Sequence, residues 1–175
     1  MKNQGLEKYF SIDQIKKKTG ITVNERFVNE LSRLHWHDFL ELELVLSGSG
    51  EQILNGQKTE LKRGCLSVIR LTDFHQVTPK NNLRLINLMV DDKILTEEML
   101  TKITSENILF FNLNEGQSHA FEMLLRLCIR HILCACSKTA SLNISPIFLM
   151  NFTVICVILF FTRVCLLSVL VVQPY

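Results

Sequence analysis

His35-Trp36-His37-Asp38-Phe39-Leu40-Glu41, followed by Gly48, is the stretch on which the fold of this chain turns. Residues two apart on a β-strand share a face. His35, His37 and Glu41 stand at even offsets, so one strand face gathers two imidazoles and a carboxylate. A strand is predicted over residues 39–46, with Leu40, Leu42, Leu44 and Leu46 on one face and Glu41, Glu43 and Val45 on the other. Ser47-Gly48-Ser49-Gly50 then breaks the extended run.

Outward from this core the texture is short strands and tight turns. Strands are predicted at 25–33, 51–54, 58–62, 65–71, 75–78 and 83–90. Asn55-Gly56 is a two-residue hairpin signal, since both central residues of that turn need positive φ. Gly64 allows a second tight turn. Such even spacing favours a barrel or sandwich over a parallel α/β sheet.

The spacing from His35-x-His37 through Glu41 to Gly48 resembles the first cupin motif, and Gly64 with His75 resembles half of the second. Arg70 stands where many cupins have proline, Thr72 where they have glycine, and Pro79 at the closing asparagine. Two or three imidazoles and a carboxylate suit a transition metal, and a metal on His35, His37, Glu41 and His75 would make a small metal-dependent enzyme. The same residues also fit a hydrogen-bonded polar cluster at a barrel mouth, with no cofactor.

Residues 34–92 resemble the N-terminal effector-binding and dimerisation domain of AraC-family regulators. The resemblance is carried by His35-x-His37-Asp38-Phe39-x-Glu41-Leu42, Val45-Leu46-Ser47-Gly48, Ile53-x-Asn55-Gly56, Leu61-Lys62-Arg63-Gly64-Cys65-Leu66 and Leu71-x-x-x-His75. It implies a mainly β cupin-like (jelly-roll) barrel followed by dimerisation helices. It further implies a small-molecule effector, a homodimer, and no enzymatic activity or metal. His35, His37, Glu41 and His75, with Trp36 and Phe39, are the expected pocket residues. The expected organisation is an N-terminal arm at 1–22, the barrel at 23–92, a helical dimerisation region at 93–138 and an apolar tail at 139–175.

Ser11-Ile12-Asp13-Gln14 reads as a capping box opening a helix over 12–18 that stops at Gly20. Lys16-Lys17-Lys18 on its surface reads as a solvated face. A second helix is predicted over 96–104, with Glu97 and Glu98 in its first turn, and an extended stretch over 108–113. A long helix is predicted over 118–136, whose stripe of Phe121, Leu124, Leu125, Cys128 and Ile132 is the candidate dimerisation face. Cys128, His131, Cys134 and Cys136 drift around that helix, which favours a structural role over a metal site.

A net charge of +2 over 175 residues gives no global footprint of a nucleic-acid binder. The start of the chain has no apolar signal segment, and six cysteines without one fit free thiols in a reducing cytoplasm. After Lys138 the only charged residue is Arg163. The helix-turn-helix units of AraC-type regulators need basic and polar side chains, so DNA binding is expected only through a domain absent from this chain. A frameshifted or truncated reading frame is the first explanation of the tail. A membrane anchor within 139–172 is the second, since 139–162 is an uncharged run long enough for a hydrocarbon core of about 30 Å.

Overall fold

A computed structural model describes residues 7–15, 20–95, 97, 101 and 110–136, with backbone alone at 11, 12 and 128–136. The chain divides into two units, Met1–Leu125 and Arg126–Tyr175. All described strands belong to the first. In order they are β1 (Glu7–Tyr9), helix α1 (Ser11–Gln14), β2 (Ile21–Val28), β3 (His35–His37), β4 (Phe39–Leu54), β5 (Gln57–Lys62), β6 (Cys65–Ile69), β7 (Phe74–Asp91), a 3-10 turn (Asp92–Ile94) and β8 (Phe110–Asn112). Helix α2 (Glu115–Cys136) follows and runs into the second unit. No helix among the described residues is long and apolar enough to cross a membrane; the tail reading at 139–172 and the lysine run at 16–18 lie outside the described residues.

Eight strands form one sheet in the order β1-β3-β7-β4-β6-β8, with β2 also on β7 and β5 also on β4. The two long strands β4 and β7 are the spine. Residues 39–45 of β4 lie between β6 and the second half of β7, whereas residues 50–54 lie between β5 and the first half of β7. Three register shifts between Val45 and Gly50 make the corner at which the sheet turns on itself. Bulges bend a strand without ending it. This corrects two expectations. Residues 47–50 do not interrupt β4, and the strands predicted at 75–78 and 83–90 are one strand, β7. The proline in β7, Pro79, sits opposite Gly50 inside the bulged region, where a missing N–H is tolerated.

β2 begins and ends earlier than predicted, because Asp91 N–H donates to Gly20 O and brings Ile21 into register with Val90. At the first helix, Phe10 O accepts from the amides of Asp13 and Gln14, so Phe10 takes the capping position expected of Ser11. Both faces of residues 39–46 are buried, so the leucine face opposite the acids is interior as well. A seven-residue cluster including Val45, Leu61, Val77, Leu83 and Leu85 packs together in the core.

Turn chemistry follows the sequence. Asn55 and Gly56 have φ of 51° and 82°, and Gly64 has φ of 85°. Helix α2 starts three residues before its predicted start. Asn114 Oδ1 accepts from Gln117 N–H while Gln117 Oε1 accepts from Asn114 N–H, at 2.9 and 3.0 Å, a reciprocal cap that Asn114-Glu115-Gly116-Gln117 spells out.

Thr72, the residue in place of a cupin glycine, has φ of 72° in a tight turn closed by Asp73 N–H to Arg70 O. A β-branched residue there is strained by about 1–2 kcal/mol, and Thr72 is exposed, so its side chain packs little. Thr72→Gly is expected to stabilise the domain by about 1 kcal/mol, after part of the gain is lost to glycine's unfolded-state entropy. Chemical denaturation checks this; an unchanged or lower stability would contradict it.

Candidate functional site

β3 and β7 run antiparallel with His35 opposite His75, and β4 pairs β7 on its other side. Strand alternation points His35 and His37 inward together, and both are buried, as are Glu41 and His75. The four residues singled out in the sequence do converge. Phe39 joins them, its ring stacked on His37 at 4.1 Å.

Trp36 does not. It lies between the two histidines, so it faces the other way, half-buried, with Lys8 Nζ 4.5 Å from its ring centre. Trp36 is therefore not a pocket residue, a correction that strand parity requires.

Tyr9 stands close instead, its ring 4.3 Å from that of His35. β1 places it there by pairing in parallel with β3. No local sequence signal announces that contact.

His37 Nδ1 lies 2.8 Å from Phe39 O, and His35 Nδ1 lies 2.8 Å from Arg33 O. A carbonyl only accepts, so each Nδ1 carries a hydrogen and each Nε2 is left to face the interior of the cluster. His37 Nε2 is 3.2 Å from Glu41 Oε2, and His75 Nε2 is 3.7 Å from the same oxygen. His37 Nε2 and both ring nitrogens of His75 are buried without a hydrogen-bond partner. His37 Nε2 and Glu41 Oε2, brought this close with His37 Nδ1 already donating to Phe39 O, call for a proton or a cation between them.

Burial pushes the Glu41 carboxyl up, but the His37 ring beside it and the charges of His75, His37 and Arg26 outweigh this and hold it at about 2. Burial drives His75 down to about 3 against the pull of Glu41, and His35 also falls, chiefly by burial. At neutral pH the cluster thus presents an ionised carboxylate and an uncharged His75. Glu43, two residues along the same face, is pushed up to about 7 by burial and the Glu41 charge.

Sequence reasoning missed the polar groups around Glu43. Arg26 Nη2 donates to Glu43 Oε1 at 3.2 Å and Gln52 Nε2 to Glu43 Oε2 at 2.7 Å, while Ser67 Oγ donates to Gln52 Oε1. Asn87 Nδ2 donates to Glu41 Oε1 at 2.7 Å and to Glu43 Oε1 at 3.2 Å. One signal was available: Asn87 is the lone amide inside the apolar run from Leu85 to Val90.

These shifts set the acid response. His75, protonated near 6.5 when unfolded and near 3 when folded, makes stability fall as pH drops from 6.5 towards 3. Glu41, ordinarily near 4.5 and here near 2, removes stability over the window from 4.5 to 2. Glu43 works in the opposite sense between 7 and 4.5, since its raised value favours the protonated folded state. Above pH 4.5 the terms offset, and below it both remaining terms destabilise. Melting temperature is expected to change gently from pH 7 to 4.5 and fall steeply below; an even slope across both windows would contradict the assignment.

His37, Glu41 and His75 offer ligand atoms that all lie within 4.8 Å of one another. Two nitrogens and a carboxylate oxygen fit a divalent transition metal, and the unpartnered nitrogens fit it better than they fit a closed hydrogen-bond cluster. His35 stands outside this group of three. Of the candidate dimerisation residues, Phe121 and Leu125 are fully buried and Leu124 is half-buried. The exposed large apolar side chains of α2 among the described residues are Met123 and Leu127. Cys128 and Ile132 have side chains outside the described residues, as do His131, Cys134 and Cys136.

Among known proteins, the chain is 34% identical over 84 residues to the HTH-type transcriptional activator RhaR of Salmonella arizonae, and equally so to that of Salmonella newport. The alignment takes in 48% of this chain and 29% of the relative, so the chain spans less than a third of the length of these curated relatives. Solved structures similar to it include KdgF from Halomonas sp. (19% identity, TM-score 0.40, 44% of this chain and 77% of that one). A cupin protein from Bacteroides fragilis is another (22% identity, TM-score 0.35, 43% and 68%). Residues 22–141, well over half of the chain, match the family described as the AraC-like ligand binding domain. The chain belongs to that family, and its mainly β sheet lies within the matched ligand-binding domain.

Proposed function

We propose that this chain is the effector-sensing part of an AraC-type transcriptional regulator. The barrel at 23–92 takes a small molecule at His35, His37, Glu41, His75 and Phe39. The helical region at 93–138 pairs two copies, with Met123 and Leu127 the exposed apolar positions on α2. DNA recognition rests with a separate helix-turn-helix domain, in keeping with the single charge after Lys138. Occupancy of the barrel changes how two such domains are presented. The observation that carries this reading is the set of buried, unpartnered histidine nitrogens inside the family-matched region. Thermal melting of the purified chain against a panel of polyols, amines and carboxylic acids tests it. At least one class is expected to raise the melting temperature, and His37→Ala with Glu41→Ala to abolish the rise; a response that survives both substitutions would sink the assignment.

The same nitrogens favour a second reading, a metal-dependent cupin enzyme. His37, Glu41 and His75 would hold the ion, which would act as a Lewis acid towards a bound ligand or water. Metal analysis of the purified chain separates the readings: stoichiometric metal lost in His37→Ala supports the second, and its absence the first.

A further inference from the structure

We propose that Asn87 is the positioning residue that makes Glu41 a one-oxygen metal ligand; this rests on the metal reading of the His37–Glu41–His75 cluster. The Asn87 amide group lies between two buried carboxylates. Its Nδ2 donates to Glu41 Oε1 at 2.7 Å and to Glu43 Oε1 at 3.2 Å. Its own Oδ1 is buried without a partner. An amide that could turn freely would satisfy its oxygen. Asn87 instead sits with its nitrogen towards the acids, the shorter contact being to Glu41. Its two N–H groups are thus committed to the two acids.

The consequence falls on Glu41. With Oε1 tied to Asn87, Oε2 alone faces the Nε2 atoms of His37 and His75, at 3.2 and 3.7 Å. A carboxylate fixed through one oxygen binds through the other, leaving more of the ion's coordination sphere open than bidentate ligation would. Glu43 Oε1 is in turn held by Arg26 as well as by Asn87, so it does not swing in to replace Glu41. Partners of this kind typically alter metal affinity about 10–100-fold when removed.

The test is titration of the full chain with Co2+, read by calorimetry and by the visible absorption of the bound ion. Asn87→Ala and Asn87→Asp are compared with Gln52→Ala. Gln52 is equally buried but touches Glu43 and Ser67, not Glu41. Melting temperatures of all variants are recorded alongside. The expected result is stoichiometric Co2+ on the wild type, affinity about 10–100-fold weaker with a changed spectrum in both Asn87 variants, and affinity within about threefold of wild type for Gln52→Ala, below that range. Asn87 variants that bind as tightly as the wild type would overturn the proposal alone. Equal weakening in Gln52→Ala would overturn it too, by showing a general loss of packing. No Co2+ on the wild type would overturn the metal reading and the proposal together.

Discussion

Gly48→Ala is expected to lower stability by about 2–5 kcal/mol, a large share of the roughly 5–15 kcal/mol that holds a domain folded. Gly48 has φ of 78° and lies at the corner where β4 bends. A Cβ there would sit 2.2 Å from Asn82 O and 2.3 Å from Asn81 O. Both are backbone atoms of β7, which cannot step aside as a side-chain tip can. Left-handed backbone strain of about 1–2 kcal/mol adds to overpacking of about 1–3 kcal/mol. Gly56 is the internal comparison. Its φ is 82°, yet a Cβ would meet nothing within 4 Å. Gly56→Ala should therefore cost only the backbone part, about 1–2 kcal/mol. Denaturant titration of both variants separates the contributions. Equal losses would mean that close approach of β4 to β7 does not hold the corner.

Glu41→Gln is expected to abolish binding at the cluster while leaving the barrel folded. The amide keeps the size of the side chain but removes the charge that His37 and His75 face. It also faces Asn87 Nδ2 with an oxygen only in one of its two orientations, so the tie that orients position 41 weakens. Any effector or metal held there should fail to raise the melting temperature. The acid response should change with it: the steep loss between pH 4.5 and 2 loses the Glu41 contribution, while the His75 contribution between 6.5 and 3 remains. A variant that binds like the wild type would place the site elsewhere. A variant with an unaltered acid profile would show that Glu41 does not carry the acid-labile stability.

The parts of this architecture legible in the sequence are those fixed by local chemistry. Strand parity put His35, His37 and Glu41 on one face, and positive-φ residues marked the turns at Asn55-Gly56 and Gly64. The spacing to His75 was legible through family likeness, and the cross-strand register gave it a cause. Parity also spoke against Trp36 as a pocket residue, since it lies between two inward-facing histidines. What local reading cannot reach depends on partners far along the chain. β4 and β7 stay continuous through Gly48–Gly50 and Pro79–Asn82 only because each bends against the other. Tyr9 reaches His35 through the pairing of β1 with β3, and Gln52 reaches Glu43 only because β4 folds back past its own corner. The stretch carrying the apolar stripe of α2 was correctly read as helical, but periodicity cannot say whether Phe121 and Leu125 pack inward or against a second copy; both are buried in the single chain.

In the proposed regulator a small molecule is sensed at the buried histidine–glutamate cluster. The most direct measurement is nitrogen NMR of 15N-histidine-labelled chain, titrated with whichever panel compound raises its melting temperature. The expected result is movement of the His37 and His75 ring signals on the same isotherm as the thermal response, with exposed His119 unmoved. Stationary His37 and His75 signals under a saturating, stabilising compound would contradict the account.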